Sequence, residues 1–203
     1  MHLFDRINIS LILKKHIETF YNYGELNFNG KRTIPLSDKI TFIFSPIIVT
    51  LIVVISGIRL TNDYVNIIIT SLSIFVGLLF NLLILIFDLT RKQKSKLKEF
   101  EVKTEVVPRI DMVKFTILKE LYANICFAIA VSIFAIAAAI APTLKPKLIL
   151  PFLRNIKYYH SLKDIYIFLT NSIAIFLSIL FLLTLLMILK RFFLIFNNEI
   201  NER

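Results

Sequence analysis

Glycine is scarce in this chain, acidic residues are outnumbered, and tryptophan is absent. The 203 residues include 4 Gly, 6 Pro, 1 Cys, no Trp, and 14 Asp and Glu against 24 Lys and Arg. A single cysteine, Cys126, cannot form an internal disulfide, which excludes an oxidised scaffold and a redox pair within the chain. So little Gly and Pro excludes a collagen-like fibre and a low-complexity linker. Signatures of catalysis are missing as well. No HExxH, GxSxG or GxGxxG string occurs, and His2, His16 and His160 lie on loops or surface segments and share no ligand spacing with Cys126. The expectation is therefore no catalytic residues, no metal and no cofactor.

Two weaker patterns also fail. The segment GELNFNGKR, Gly24 to Arg32, approaches a phosphate-binding loop, but five residues separate its glycines and Arg32 follows Lys31. The loop needs four residues there and a Ser or Thr after the Lys, so the segment is read as a basic turn. Asn8-Ile9-Ser10 fits a glycosylation sequon, but it falls on the side assigned below to the cytoplasm and is read as chance. The opening MHLFDRINISLILKK is not expected to act as a secretory signal, because Asp5 interrupts it and its apolar stretch is short.

What the chain has in excess is apolar mass. Hydrophobic residues make up 57% of it, and the mean hydropathy is +0.75, whereas roughly 45–50% apolar, glycine included, is usual for a soluble domain. The excess is concentrated in four runs, Ile40 to Ile58, Val65 to Phe87, Leu121 to Ala141 and Ile165 to Leu189, none with a formal charge inside it. About 20 apolar residues cross a hydrocarbon core. The predicted fold is thus an all-α membrane protein with four transmembrane helices arranged as two helical hairpins. The spans at 40–58 and 65–87 make the first hairpin. Those at 121–141 and 165–189 make the second pair, joined by an outer loop, 142–164.

Charge sets the predicted orientation. With segments 1–39, 88–120 and the tail 190–203 on one side, 18 of the 24 bases lie on that side. Positive residues favour the cytoplasm, so both termini are expected inside a bacterial inner membrane. Residues 1–39 are expected to form a cytoplasmic amphipathic segment, with Leu3, Phe4, Ile7, Leu11, Ile17 and Phe20 on one face. It lies on the inner leaflet or packs on a partner. Pro35, Ser37 and Asp38 then read as the entry and cap of the first span. The second span is expected to continue as a helix past the bilayer. A second amphipathic stretch after Pro108 leads into the third span, so 88–120 reads as a basic helical elbow that turns near Glu101 to Pro108.

Polar side chains within the spans are the remaining candidates. Asn81 and Asn124 fall at similar depth, with Ser132 and Asn171 elsewhere in the apolar runs. Two readings stand for them, interhelical hydrogen bonding or the lining of a pore. Ala128, Ser132, Ala135 and Ala139 recur at spacings of 4, 3 and 4, a face of small residues suited to close helix packing. That places the third span at the centre of a bundle or at a subunit interface, and the Phe- and Leu-rich fourth span toward lipid. The elbow carries Arg91, Lys92, Lys94, Lys96 and Lys98 within eight residues. These bases suit anionic lipid or a polyanion such as a nucleotide or oligonucleotide.

This layout, together with the string LKELYANICFAIAVSI in the third span and its approach, resembles small multi-span membrane effectors of bacterial antiphage defence systems. The nucleotide-signalling and retron-associated types are the ones meant. The resemblance lies in architecture and composition and carries over no functional residues. It implies a homo-oligomer that forms a pore or channel in the inner membrane and disrupts its integrity or potential. It also implies a nucleotide that opens or closes the pore, and a soluble defence partner encoded nearby. The alternative reading is a non-catalytic membrane anchor or accessory subunit for a soluble partner, held through 1–39 and 88–120.

Overall fold

A computed structural model describes residues 9–20, 36, 40–57, 61–103, 106–143 and 159–201. The expected turn at Gly24 to Arg32, the sequon's Asn8, the cap residues Pro35, Ser37 and Asp38 and most of the 142–164 loop lie outside the described residues. The described residues form five α-helices: α1 (Ile9–Glu18), α2 (Ser45–Ile55), α3 (Asn62–Val102), α4 (Arg109–Ile140) and α5 (Tyr159–Asn201). No strand occurs among the described residues.

The local rules explain where these helices begin and end. Pro46 sits in the first turn of α2, where its missing N–H costs nothing. A single wide π-turn, Ile40–Phe44, leads into it. Thr50 returns its hydroxyl to the Pro46 carbonyl at 2.7 Å. At the other end Gly57 takes φ +69°, the left-handed conformation that stops a helix and that side chains disfavour. Asp63 opens α3, where a carboxylate complements the helix dipole. From there 41 residues continue without a break, about 61 Å at 1.5 Å per residue. Pro108 ends the turn between α3 and α4 and caps the latter.

Helices α3, α4 and α5 are long and apolar enough to cross a membrane. The apolar helix at Ile40–Ile55 is shorter, below the roughly 20 residues that a span needs. It packs mainly against α5, and not along α3, its expected hairpin partner.

Helix α4 is the centre of the unit, with α3 on one side and α5 on the other. In the most apolar stretch of each helix, 44% of α4 is buried, against 28% of α5 and 11% of α3. Leu121, Ile125, Ala128, Ala135 and Ala139 of α4 are fully buried, as are Ile86 of α3 and Phe181 of α5. Small residues along α4 bring the neighbouring helices close. Between lipid-like surfaces such packing, and not water exclusion, holds helices together. Helix α1 lies on the first half of α4. Beyond the apolar lengths, α3 and α4 continue together as the elbow, joined by the buried residues Gln93, Leu97 and Asp111.

Candidate functional site at the elbow end of the bundle

At the elbow end, α1, α4 and α5 meet in a knot of polar groups. Ile12 and His16 of α1 and Phe20, in the turn just after it, fall four residues apart. His16 is buried, with 3% exposure. Its Nδ1 lies 2.8 Å from Asn124 Oδ1, so the neutral ring donates from Nδ1 to the amide oxygen. The imidazole stacks on Phe127 at 3.7 Å between ring centres, nearly parallel, and meets Phe20 edge-on. Thr19 gives its hydroxyl proton to the His16 carbonyl at 2.6 Å and lies 3.1 Å from Asn124 Oδ1. From α5, Arg191 donates through Nε to Glu120 at 3.1 Å and through Nη2 to the Thr19 carbonyl at 2.9 Å. Asn124 Nδ2 is buried without a hydrogen-bond partner among the described residues.

The electrostatics follow from burial. His16, outside the apolar spans, has its pKa drawn down to about 4, chiefly because burial penalises the charged ring. The Asn124 hydrogen bond opposes the shift, and the nearby Arg191 charge adds to it. The knot therefore holds a neutral imidazole beside a guanidinium–carboxylate pair. It contains no activated nucleophile, and its chemistry is that of a latch fastening α1 to the bundle.

This corrects two expectations. His16 is not on a surface segment: its i, i+4 partners Ile12 and Phe20 turn it inward, onto an amide at the end of an apolar run. The side that packs carries Ile12 and His16 of α1 and the following Phe20, whereas Leu11 and Ile17, expected on the packed face, are exposed. A signal for the knot was present in the sequence. Glu120 and Asn124 are four residues apart at the start of the apolar run, so both point to one side of α4.

The other predicted residues are dispersed. Asn81 is exposed on α3 and does not reach Asn124. Leu72, Leu79 and Ile86 define the buried face of α3, and Asn81 lies about 200° round the helix from Leu79. Ser132 is buried and donates to the Ile129 carbonyl of its own helix at 2.7 Å. Ala128, Ala135 and Ala139 are buried within the unit, which consumes the small face internally. Asn171 is half-buried in a groove between α5 and the end of α2, near Val54 and Gly57. Ser172, Ser178 and Thr184 likewise bond carbonyls one turn back, closing their hydroxyls onto the helix.

In the elbow the bases divide. Arg91, Lys92, Lys94 and Lys98 are exposed. Lys96, exposed as well, reaches Asp111 Oδ1 at 2.8 Å, the same oxygen that accepts from Gln93 Nε2 at 2.8 Å. The Lys96 hydrogen bond holds the Asp111 carboxyl below its ordinary value, against an opposing effect of burial. A shallow groove along this ridge is lined by Asp88, Arg91, Lys92, Ser95, Lys96 and Glu99, so carboxylates interrupt the positive surface.

No protein-family model, curated protein or solved structure matches this chain.

Proposed function

We propose that this chain is a membrane effector that oligomerises into a pore or channel in a bacterial inner membrane, with both termini cytoplasmic. Its opening would collapse the membrane potential, as a defence effector does. The observation that supports this reading best is the exposure of α3. Only 11% of its apolar stretch is buried, and the Asn81 amide lies uncovered within that stretch. In a single copy that amide would face hydrocarbon, where a polar group without a partner is costly. Assembly removes the cost. The exposed bases Arg91, Lys92, Lys94 and Lys98 supply a contact for a nucleotide or other polyanion that gates the assembly.

The test is purified protein in liposomes loaded with a self-quenching dye, together with induced cells carrying a potential-sensitive dye. Dye release and depolarisation are expected. Intact potential in cells that contain the protein, and no flux from liposomes with or without added nucleotides, would refute the reading.

A second reading is a membrane anchor for a soluble partner. It is favoured by the apolar flank of α1, where Leu11, Leu13 and Ile17 are exposed. It forecasts a stable stoichiometric complex and no conductance.

A further inference from the structure

The turned-away face of α3 carries more than Asn81. Within its apolar length the polar or small residues are Asn66, Thr70, Ser71, Ser73, Gly77 and Asn81, and all six are exposed. At about 100° per residue, five of them (Asn66, Thr70, Ser73, Gly77 and Asn81) fall within an arc of about 80°. The buried residues Leu72, Leu79 and Ile86 lie on the opposite side, against α4. Helix α3 thus packs one apolar face on α4 and leaves this polar stripe, interrupted by Ile84 and flanked by the exposed Ile74, Phe80 and Leu85, uncovered by any described element. The stripe continues past the apolar length through Asp88, Arg91, Ser95 and Glu99, all exposed.

We infer that this stripe is where copies of the chain meet, α3 beside α3 in the same orientation, around a water-filled axis with Asn81 at the contact. The inference rests on the pore reading and names its lining helix. Three features favour a second copy as the occupant. A copy in the same orientation brings Asn81 to the same depth, and an amide, both donor and acceptor, pairs with its own kind. The continuation of the stripe is self-complementary in charge, since Asp88 of one helix can meet Arg91 or Lys92 of the next. Gly77, midway along the stripe, has nothing within 4 Å of where a Cβ would sit, leaving room for a neighbouring backbone to approach.

The experiment uses the full chain with Cys126→Ala, so that introduced cysteines are alone. Asn81→Cys and Ser73→Cys are placed on the stripe, and Leu186→Cys on the exposed side of α5 serves as the comparison. Each protein is reconstituted in liposomes, oxidised, and separately treated with a charged, water-soluble thiol reagent while flux is recorded. The expected result is disulfide-linked dimers at positions 81 and 73 but not 186, with reagent at position 81 cutting flux at least tenfold. Asn81→Leu should lower flux, and Asn81→Gln should retain most of it. Flux with dimers at 186 and none at 81 or 73 would overturn the inference while leaving the pore reading standing. Dimers at 81 with no flux from any variant, the Cys126→Ala parent included, would overturn the water-filled axis and the pore reading together. Labelling of position 81 by a lipid-soluble maleimide alone, with no dimers, would place the stripe against lipid and overturn the inference. Specific capture of a different protein at position 81 would overturn it too.

Discussion

His16 Nδ1 and Asn124 Oδ1, 108 positions apart in the chain, stand 2.8 Å apart in a buried hydrogen bond. The bond fastens the amphipathic α1 to the central helix. The groups facing His16 are Asn124 and Phe127 from α4, Thr19 and Phe20 from its own segment, and the Arg191 charge from α5, itself paired with Glu120.

Acid should therefore release α1. Undocked, His16 titrates near its ordinary value of about 6.5; docked, near about 4. The docked state binds the proton less well. Docking is at full strength above pH 6.5, weakens as the pH falls through that value, and reaches its floor near pH 4. At about 1.4 kcal/mol per pH unit the loss totals about 3 kcal/mol. Hydrogen–deuterium exchange of α1 amides, corrected for intrinsic rates, should show protection lost across that window. His16→Gln should flatten the pH dependence. Protection unchanged from pH 7 to pH 4 would refute the latch.

Arg191 and Glu120 give a second, independent test of the knot. Their side chains are only 11% and 17% exposed. Arg191→Met leaves the Glu120 charge without its guanidinium and the Thr19 carbonyl without that donor. A loss of about 3 kcal/mol is expected, because breaking a buried pair strands a charge. The double variant Arg191→Met with Glu120→Gln should recover part of it. A double variant as unstable as the sum of the singles, measured by thermal unfolding in detergent, would mean that the two groups do not interact.

Three of the four expected long apolar helices and the elbow were legible because periodicity and run length depend on local chemistry, whereas the run at 40–58 forms a helix shorter than a span. The continuation of α3 to Val102 and the restart of α4 after Pro108 follow from helix formers and a proline. The role of His16 was not legible. Its burial depends on a contact with α4 more than a hundred residues away, which no local pattern encodes. The stripe on α3 was half legible. Its polar residues were visible one by one, but which side of the helix was free depended on where α4 packs. The pairing of α2 with α5 is likewise a tertiary fact, since only six residues, Arg59 to Tyr64, separate the first two apolar runs in the sequence and suggested α3 as the neighbour.

The basic ridge divides into Lys96, engaged by Asp111, and the bases proposed to bind a polyanion. Lys96 belongs to the elbow through Asp111, so it should be kept when the ridge is tested. Arg91, Lys92, Lys94 and Lys98 changed together to Gln should abolish any nucleotide response of liposome flux and leave the elbow folded. Asp111→Asn should do the reverse, loosening the elbow by about 1 kcal/mol while leaving the response. The Asp111 carboxyl is depressed in the fold, so its contribution is complete above about pH 4 and fades only as the pH falls through its lowered value. Membrane orientation must be checked first, because removing four bases weakens the charge bias that sets it. A retained nucleotide response in the correctly inserted four-base variant would refute the ridge as a binding site.

Packing around α4 yields the sharpest contrast. Ala135 is fully buried and belongs to the small face held between α3 and α5. Ala135→Leu adds three carbons where no space exists, and overpacking of this kind costs about 1–3 kcal/mol. Ala137, two residues on, is exposed, so Ala137→Leu adds the same carbons to an uncovered side and should be nearly neutral. Thermal unfolding of both variants in the same detergent distinguishes packing from composition. A lowered midpoint for Ala135→Leu alone is expected, with exchange protection falling in α3 and α5 as well as α4, since all three helices share the contact. Equal midpoints for the two variants would mean that α4 is not the packed centre of the bundle.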